Sequence, residues 1–99
     1  MHGIRLAYSS GNVLRNNIVS SDNGCAILLY ASVDNRLINN DASNSFQGIL
    51  MHTSSNNNLV SGNTASDNRK CGIYIRGNNI GSLFSSFSVK LNNHWDGSS

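Results

Sequence analysis

The sequence predicts an all-β solenoid, a single-stranded parallel β-helix of about four rungs. Three observations point there. A motif recurs every 22–24 residues, Ile and Leu alternate with a period of two inside each copy, and Asn and Ser fill the remainder. With Gly3, Ala26, Gly48 and Gly72 in register, successive copies lie 23, 22 and 24 residues apart. A period of this length marks a repeat architecture, in which each unit buries its apolar face only against its neighbours.

The copies justify their strands in turn. "GIRLAYSSGNVLRNN" places Ile4 and Leu6 on one face, because alternate residues of a strand share a side. Asn12 and Leu14 follow. "AILLYASVDNRLINN" repeats this with Ile27, Leu29, Asn35 and Leu37, and "GILMHTSSNNNLVSG" with Ile49, Met51, Asn57 and Leu59. The fourth copy offers Ile73, Ile75 and Leu83, with Gly81 in the place of the Asn. If each strand pairs with its copy about 4.8 Å away, every alignment column becomes a physical stack. Each buried aliphatic then contributes roughly 1.5–3 kcal/mol. Asn12, Asn35 and Asn57 are expected to form an asparagine ladder, their amides bonding from rung to rung beside a turn.

Rungs are expected over residues 1–83. Residues 84–99 are expected to be a partial last strand, a weak cap or a disordered tail, with Phe84, Phe87 and Trp95 as capping side chains. Leucine-rich repeats share the period but require Leu-x-x-Leu-x-Leu-x-x-Asn, and those Leu positions are missing. Two helices do not fit the spacing, and Asn, Ser and Gly form helices poorly.

Composition excludes several functions. Charged residues are only 12% of the chain, and the net charge of +2 comes without a basic run, which argues against nucleic-acid binding. Solubility falls to 17 Asn and 17 Ser. No apolar stretch reaches the roughly 20 residues of a membrane span. The opening "MHGIRLAYSS" lacks a signal-peptide layout, and the expectation is a piece of a longer protein. Cys25 and Cys71 fall two copies apart with Gln47 between, about 10 Å along the coil. That is too far for a disulfide, so two buried thiols are expected.

The run of Gly-Ile-x-Leu, Ser-Ser, Asn and Leu, with the later "GIYI", resembles the right-handed parallel β-helix repeats of the pectate-lyase-like superfamily. Within it the chain is most similar to the NosD-like carbohydrate-binding and sugar-hydrolase group, over residues 3 to about 83. The resemblance implies a right-handed coil, an extracellular or periplasmic location and no assured activity, since the matching residues are structural.

Function is then sought in the outward columns. One reads Arg5, Leu28, Leu50, Tyr74; the next reads Ala7, Tyr30, His52, Arg76. Tyr30, His52, Tyr74, Arg76 and Arg5 suit a carbohydrate-binding strip: rings pack on a pyranose, and Arg pairs with a uronate carboxylate. The expected partner is an acidic or neutral polysaccharide. A purely structural stalk or surface-layer scaffold is the alternative, with end-to-end association through uncapped rungs. The resemblance also implies a polysaccharide epimerase or lyase of the alginate type, with His52 as base, Tyr30 as acid and Arg76 neutralising the carboxylate. The Asp-Pro-His-Asp motif of such epimerases is missing, as the chain has no Pro, and the absence of Glu removes paired carboxylates. Asp22, Asp34, Asp41 and Asp67 are read as turn residues, Arg15 and Arg36 as solvated, and Tyr8 as packed at a strand end. NosD-type proteins are associated with copper-enzyme maturation. However, His2, His52 and His94 occupy different columns, and Met1 and Met51 do not pair with them. No metal site and no cofactor are expected.

Overall fold

The computed structural model describes residues 3–21, 23–53, 55–76, 82–85 and 95–97, with 83–85 and 95–97 described as backbone. Every regular element among them is a β-strand. The first rung carries β1 (Ile4–Ala7), β2 (Val13–Arg15) and β3 (Ile18–Val19). The second carries β4 (Cys25–Tyr30), β5 (Arg36–Ile38) and β6 (Asp41–Ala42). Then come β7 (Gln47–His52), β8 (Leu59–Ser61), β9 (Cys71–Arg76), β10 (Leu83–Ser85) and β11 (Trp95–Gly97).

The strands stack into a β-solenoid of three parallel sheets. A long sheet runs β1-β4-β7-β9-β11, a second runs β10-β8-β5-β2, and a short third joins β3 to β6. Pairing in the long sheet joins Ile4, Ile27, Ile49 and Ile73, and likewise Leu6, Leu29, Met51 and Ile75. These are the columns that the alternation of apolar residues predicts. Ile27, Leu29, Leu37, Ile49, Met51, Val60 and Ile73 are wholly buried in one core, against which Ile4, Leu6 and Val19 of the first rung are half-buried. Trp95 pairs with Ile73 by the same register, whereas Phe87 lies outside the described residues.

In the second sheet the register differs from the one expected. Leu14 pairs with Leu37 and Leu37 with Val60, so Val60 rather than Leu59 fills the inward column. Accordingly Asn58, not Asn57, shares a column with Asn12 and Asn35. The Asn12 N–H donates to Asn35 Oδ1 at 2.9 Å, and the Asn35 N–H donates to Asn58 Oδ1 at 2.9 Å. The Asn58 N–H in turn donates to Ser82 Oγ at 3.2 Å, which puts Ser82 rather than Gly81 in the fourth place. The cause is one extra residue in the turn after β7. Ser32 lies two residues after Tyr30, but its partner Ser55 lies three after His52.

Two further columns work the same way. The N–H of Asn17 donates to Asn40 Oδ1, and that of Asn40 to Asn63 Oδ1, at 3.0 and 2.8 Å. Ser9, Ser32 and Ser55 form another, each hydroxyl accepting the N–H of the rung before or donating to its own rung's carbonyl. Turning the chain requires single left-handed residues, and these also align. Gly11, Asp34 and Asn57 make one such column, Asn16, Asn39 and Gly62 a second, Asn44 and Asp67 a third, and Tyr8, Ala31 and Thr53 a fourth. Asn, Asp and Gly tolerate that backbone; Tyr, Ala and Thr do not favour it. Asp41, expected in a turn, instead opens strand β6 opposite Ile18.

Candidate functional site

The outer face of the long sheet brings the sequence-predicted strip together. Ala7, Tyr30, His52 and Arg76 pair in one column at the ends of β1, β4, β7 and β9. The rings of Tyr30 and His52 lie 5.3 Å apart at 27°, stacked along the coil axis. His52 Nδ1 meets the hydroxyl of Thr53, the left-handed residue that follows it. Partial burial, and then the Arg76 charge, hold the His52 pKa below its ordinary value, so the ring is neutral near pH 7.

The second column departs from a continuous contact strip. Arg5 and Tyr74 lie at its two ends, but Leu28 and Leu50 between them are only 7% and 8% exposed. They form a small apolar cluster with Cys25, against which Tyr74 packs. Cys25 Sγ donates to Gln47 Oε1 at 3.4 Å, and Gln47 pairs in turn with Cys71. Both cysteines are buried thiols with Gln47 between them, and burial pushes Cys25 up to about 11, against the pull of Lys70.

Sequence reasoning missed part of this face. Tyr8, read as packed, is 77% exposed, with its ring 5.5 Å from Tyr30 in an edge-on arrangement at 72°. A hydrogen bond with Tyr30 raises its phenol above the usual pKa. Ala7 leaves the first place of the column empty of a ring, and Tyr8, one residue on, fills it. Phe46, Arg69 and Lys70, just before β7 and β9, are also part of the face. Lys70 Nζ lies 5.9 Å from the Phe46 ring centre and 5.7 Å from that of Tyr74. Arg69 stands over Phe46 at 5.7 Å and Arg76 over Tyr74 at 6.0 Å. The signal lay in the adjacent basic pair Arg69-Lys70, whose neighbours only the rung geometry reveals.

The face thus has two ends. Rings crowd the first three rungs, and cations crowd the fourth. Strands β1, β4, β7 and β9 carry no carboxylate, and Asp96 of β11 takes the register position beside Tyr74. Arg15 and Arg36 are exposed on the second sheet in different columns.

The family model described as "Periplasmic copper-binding protein (NosD)" matches residues 1–94. The chain belongs to the NosD family. That match agrees with the expected β-helix architecture, and its description places the family in the periplasm. Comparison with curated proteins, and with solved structures, returned no match.

Copper is the ligand in that description, and the described residues do not fit it. Among them no three of His, Cys, Asp and Glu converge. Met51 is wholly buried in the core, and the two thiols are held apart by Gln47. Cys25 is also a poor source of the thiolate that a soft metal binds. His2, His94 and Met1 lie outside the described residues. No helix among the described residues is long and apolar enough to cross a membrane.

Proposed function

We propose that this NosD-family chain binds acidic polysaccharide in the periplasm, on the outer face of its long sheet. One observation carries the reading: Arg5 and Arg76 on β1 and β9, with Arg69 and Lys70 just before β9, share a face with the rings of Tyr30, His52 and Tyr74, and β1, β4, β7 and β9 carry no carboxylate. Guanidinium groups pair with carboxylates through parallel hydrogen bonds, and Tyr hydroxyl and imidazole nitrogen bond sugar hydroxyls. Repeated anions along a polymer match cations presented along a wall. The asparagine columns, in this reading, are an asparagine ladder that holds the wall in register.

Retention on immobilised alginate tests the proposal. The wild-type chain is expected to be retained at low salt, and the Tyr30→Ala/Arg76→Ala double variant to elute early. Equal retention of the two, with both folded, would favour the stalk reading. Turnover of a defined oligouronate, with His52→Ala inactive, would instead place the chain among epimerases or lyases.

A further inference from the structure

We infer that His52 makes this face pH-responsive: a proton taken from solvent onto its imidazole adds a cation between Tyr30 and Arg76 and tightens the hold on an acidic polysaccharide. The inference rests on the polysaccharide reading above and adds how binding at that site is regulated.

The placement of the ring makes the case. His52 holds an inner place in its column, paired with Tyr30 of β4 on one side and with Arg76 of β9 on the other. Neighbouring places in such a column lie about 5 Å apart, so a charge on His52 falls beside the Arg76 charge. The ring is half-buried, stacked on Tyr30, and its Nδ1 meets the Thr53 hydroxyl, contacts that orient it on the strip. Histidine is the side chain that ordinarily changes charge between about pH 5 and 8. On strands β1, β4, β7 and β9, His52 is the one residue of that type.

The surrounding charges set the direction of the effect. The groups that face His52 are the phenol of Tyr30 on β4, the guanidinium of Arg76 on β9 and the hydroxyl of Thr53 after β7. Lys70 stands beside Tyr74, in the neighbouring column. Strands β1, β4, β7 and β9 carry no carboxylate, and residues 77–81, next in the chain after Arg76, include no ionisable side chain. Partial burial, and then the Arg76 charge, resist protonation of the bare face. A polymer carboxylate set between His52 and Arg76 reverses the second effect, because a nearby anion favours imidazolium. Tyr30 does not oppose the change, since a ring that stacks on neutral imidazole also attracts the cation through its π face.

Binding and protonation are then one equilibrium seen from two sides. If the bound carboxylate strengthens proton binding at His52 by some factor, protonation strengthens polymer binding by the same factor. Coupling of this kind commonly amounts to about fivefold or more. Carboxylates stay largely ionised above about pH 5, so the charge of the polymer is constant while His52 titrates. Acid therefore favours capture and a neutral medium favours release, with no change in the coil.

Calorimetric titration of the full chain with an alginate-derived hexauronate, at about pH 5.5 and 7.5 and at one ionic strength, tests this. Wild type is expected to bind about fivefold more tightly at the lower pH. In His52→Gln, which keeps hydrogen-bonding groups but no titratable one, the two affinities should agree within about twofold. His2 and His94 are present in both proteins, so any pH dependence they bring remains in the variant. Proton NMR gives a second readout: saturating hexauronate should raise the wild-type His52 midpoint by about 0.7 pH unit, the same fivefold factor. Wild-type affinities within about twofold at the two pH values, or a His52 midpoint that hexauronate leaves in place, would overturn the coupling while the polysaccharide reading stands. Undiminished pH dependence in His52→Gln would move the response away from His52 and overturn the inference too. Binding at neither pH would sink the polysaccharide reading itself, and this inference with it.

Discussion

Asn58 and Asn57 are adjacent and identical, yet they should respond to substitution in opposite ways. Asn58 is 1% exposed. Its Oδ1 accepts the Asn35 N–H at 2.9 Å, and its Nδ2 donates to the carbonyls of Ser32 at 3.0 Å and Ser55 at 2.9 Å. Asn58→Ala removes all three bonds. At a net contribution near 1 kcal/mol each the loss is about 3 kcal/mol, and the stranded, buried Asn35 N–H adds to it. For a domain of this size such a loss lowers Tm by on the order of 15 °C. Asn57 is exposed, and its φ of 56° is one that glycine adopts freely. Asn57→Gly should therefore leave stability within about 0.5 kcal/mol of wild type. Thermal and urea unfolding followed by far-ultraviolet circular dichroism would measure both. A loss for Asn57→Gly as large as that for Asn58→Ala would place Asn57 in the ladder column and sink the register.

Other outcomes follow from the same structure. Burial and a pKa of about 11 leave roughly a thousandth of Cys25 as thiolate at pH 8. A thiol reagent should modify the native protein at least about a hundredfold more slowly than the urea-unfolded chain; rates within tenfold would contradict the burial. The His52 pKa is lowered in the fold, so the unfolded chain takes up the proton first as pH falls through about 6.5. The stability gained from the neutral ring is present above that pH and is lost as pH falls toward the folded value. A proton NMR titration should give a His52 midpoint below about 6.5 that moves up in Arg76→Ala, and a wild-type midpoint at or above about 6.5 would count against the assignment. A side chain at Gly48 would clash with Gly72 O and stand 2.7 Å from Ala42 O. Gly48→Val should thus cost at least about 2 kcal/mol in urea unfolding, and a variant as stable as wild type would mean that the rungs part there easily. Tyr8→Asn relieves a left-handed Tyr worth about 1–2 kcal/mol but loses one ring contact and the hydrogen bond with Tyr30, together of similar size, so Tm should stay close to wild type; a clear fall would show that Tyr8 is structural.

The strands were legible because their signal is redundant. Ile4, Ile27, Ile49 and Ile73 occupy one column, and four copies of the same alternation leave a single solution. The turns were not legible to the residue. Counting eight positions from Ile4 and Ile27 gives Asn12 and Asn35, and the same count from Ile49 gives Asn57. The extra residue between His52 and Ser55 moves the column to Asn58, and three consecutive Asn residues offer no apolar mark to correct the count. The strip of Tyr30, His52 and Arg76 was readable from register alone. Ring orientation was not, because whether Tyr30 offers a face or an edge depends on what His52 does one rung away.

Membership in the NosD family and the poor fit of the described residues to copper are compatible once the columns are separated by what they do. A coil demands aliphatic residues inward, Asn and Ser at the hydrogen-bonding columns and left-handed residues at the turns. Those are the positions that repeat within this chain. A ligand, by contrast, meets only outward positions such as Arg5, Tyr30, His52 and Arg76, which differ from one rung to the next. Outward positions are free to vary without cost to the coil, so a shared coil does not carry a shared ligand with it. What binds to this chain must be argued from those side chains. They present cations and ring edges, which complement an anionic, hydroxyl-rich polymer better than a soft metal. The left-handed column sharpens the point. Among the described residues, that column alone departs from the residues that the turn prefers, and it does so beside the face that would hold the polymer.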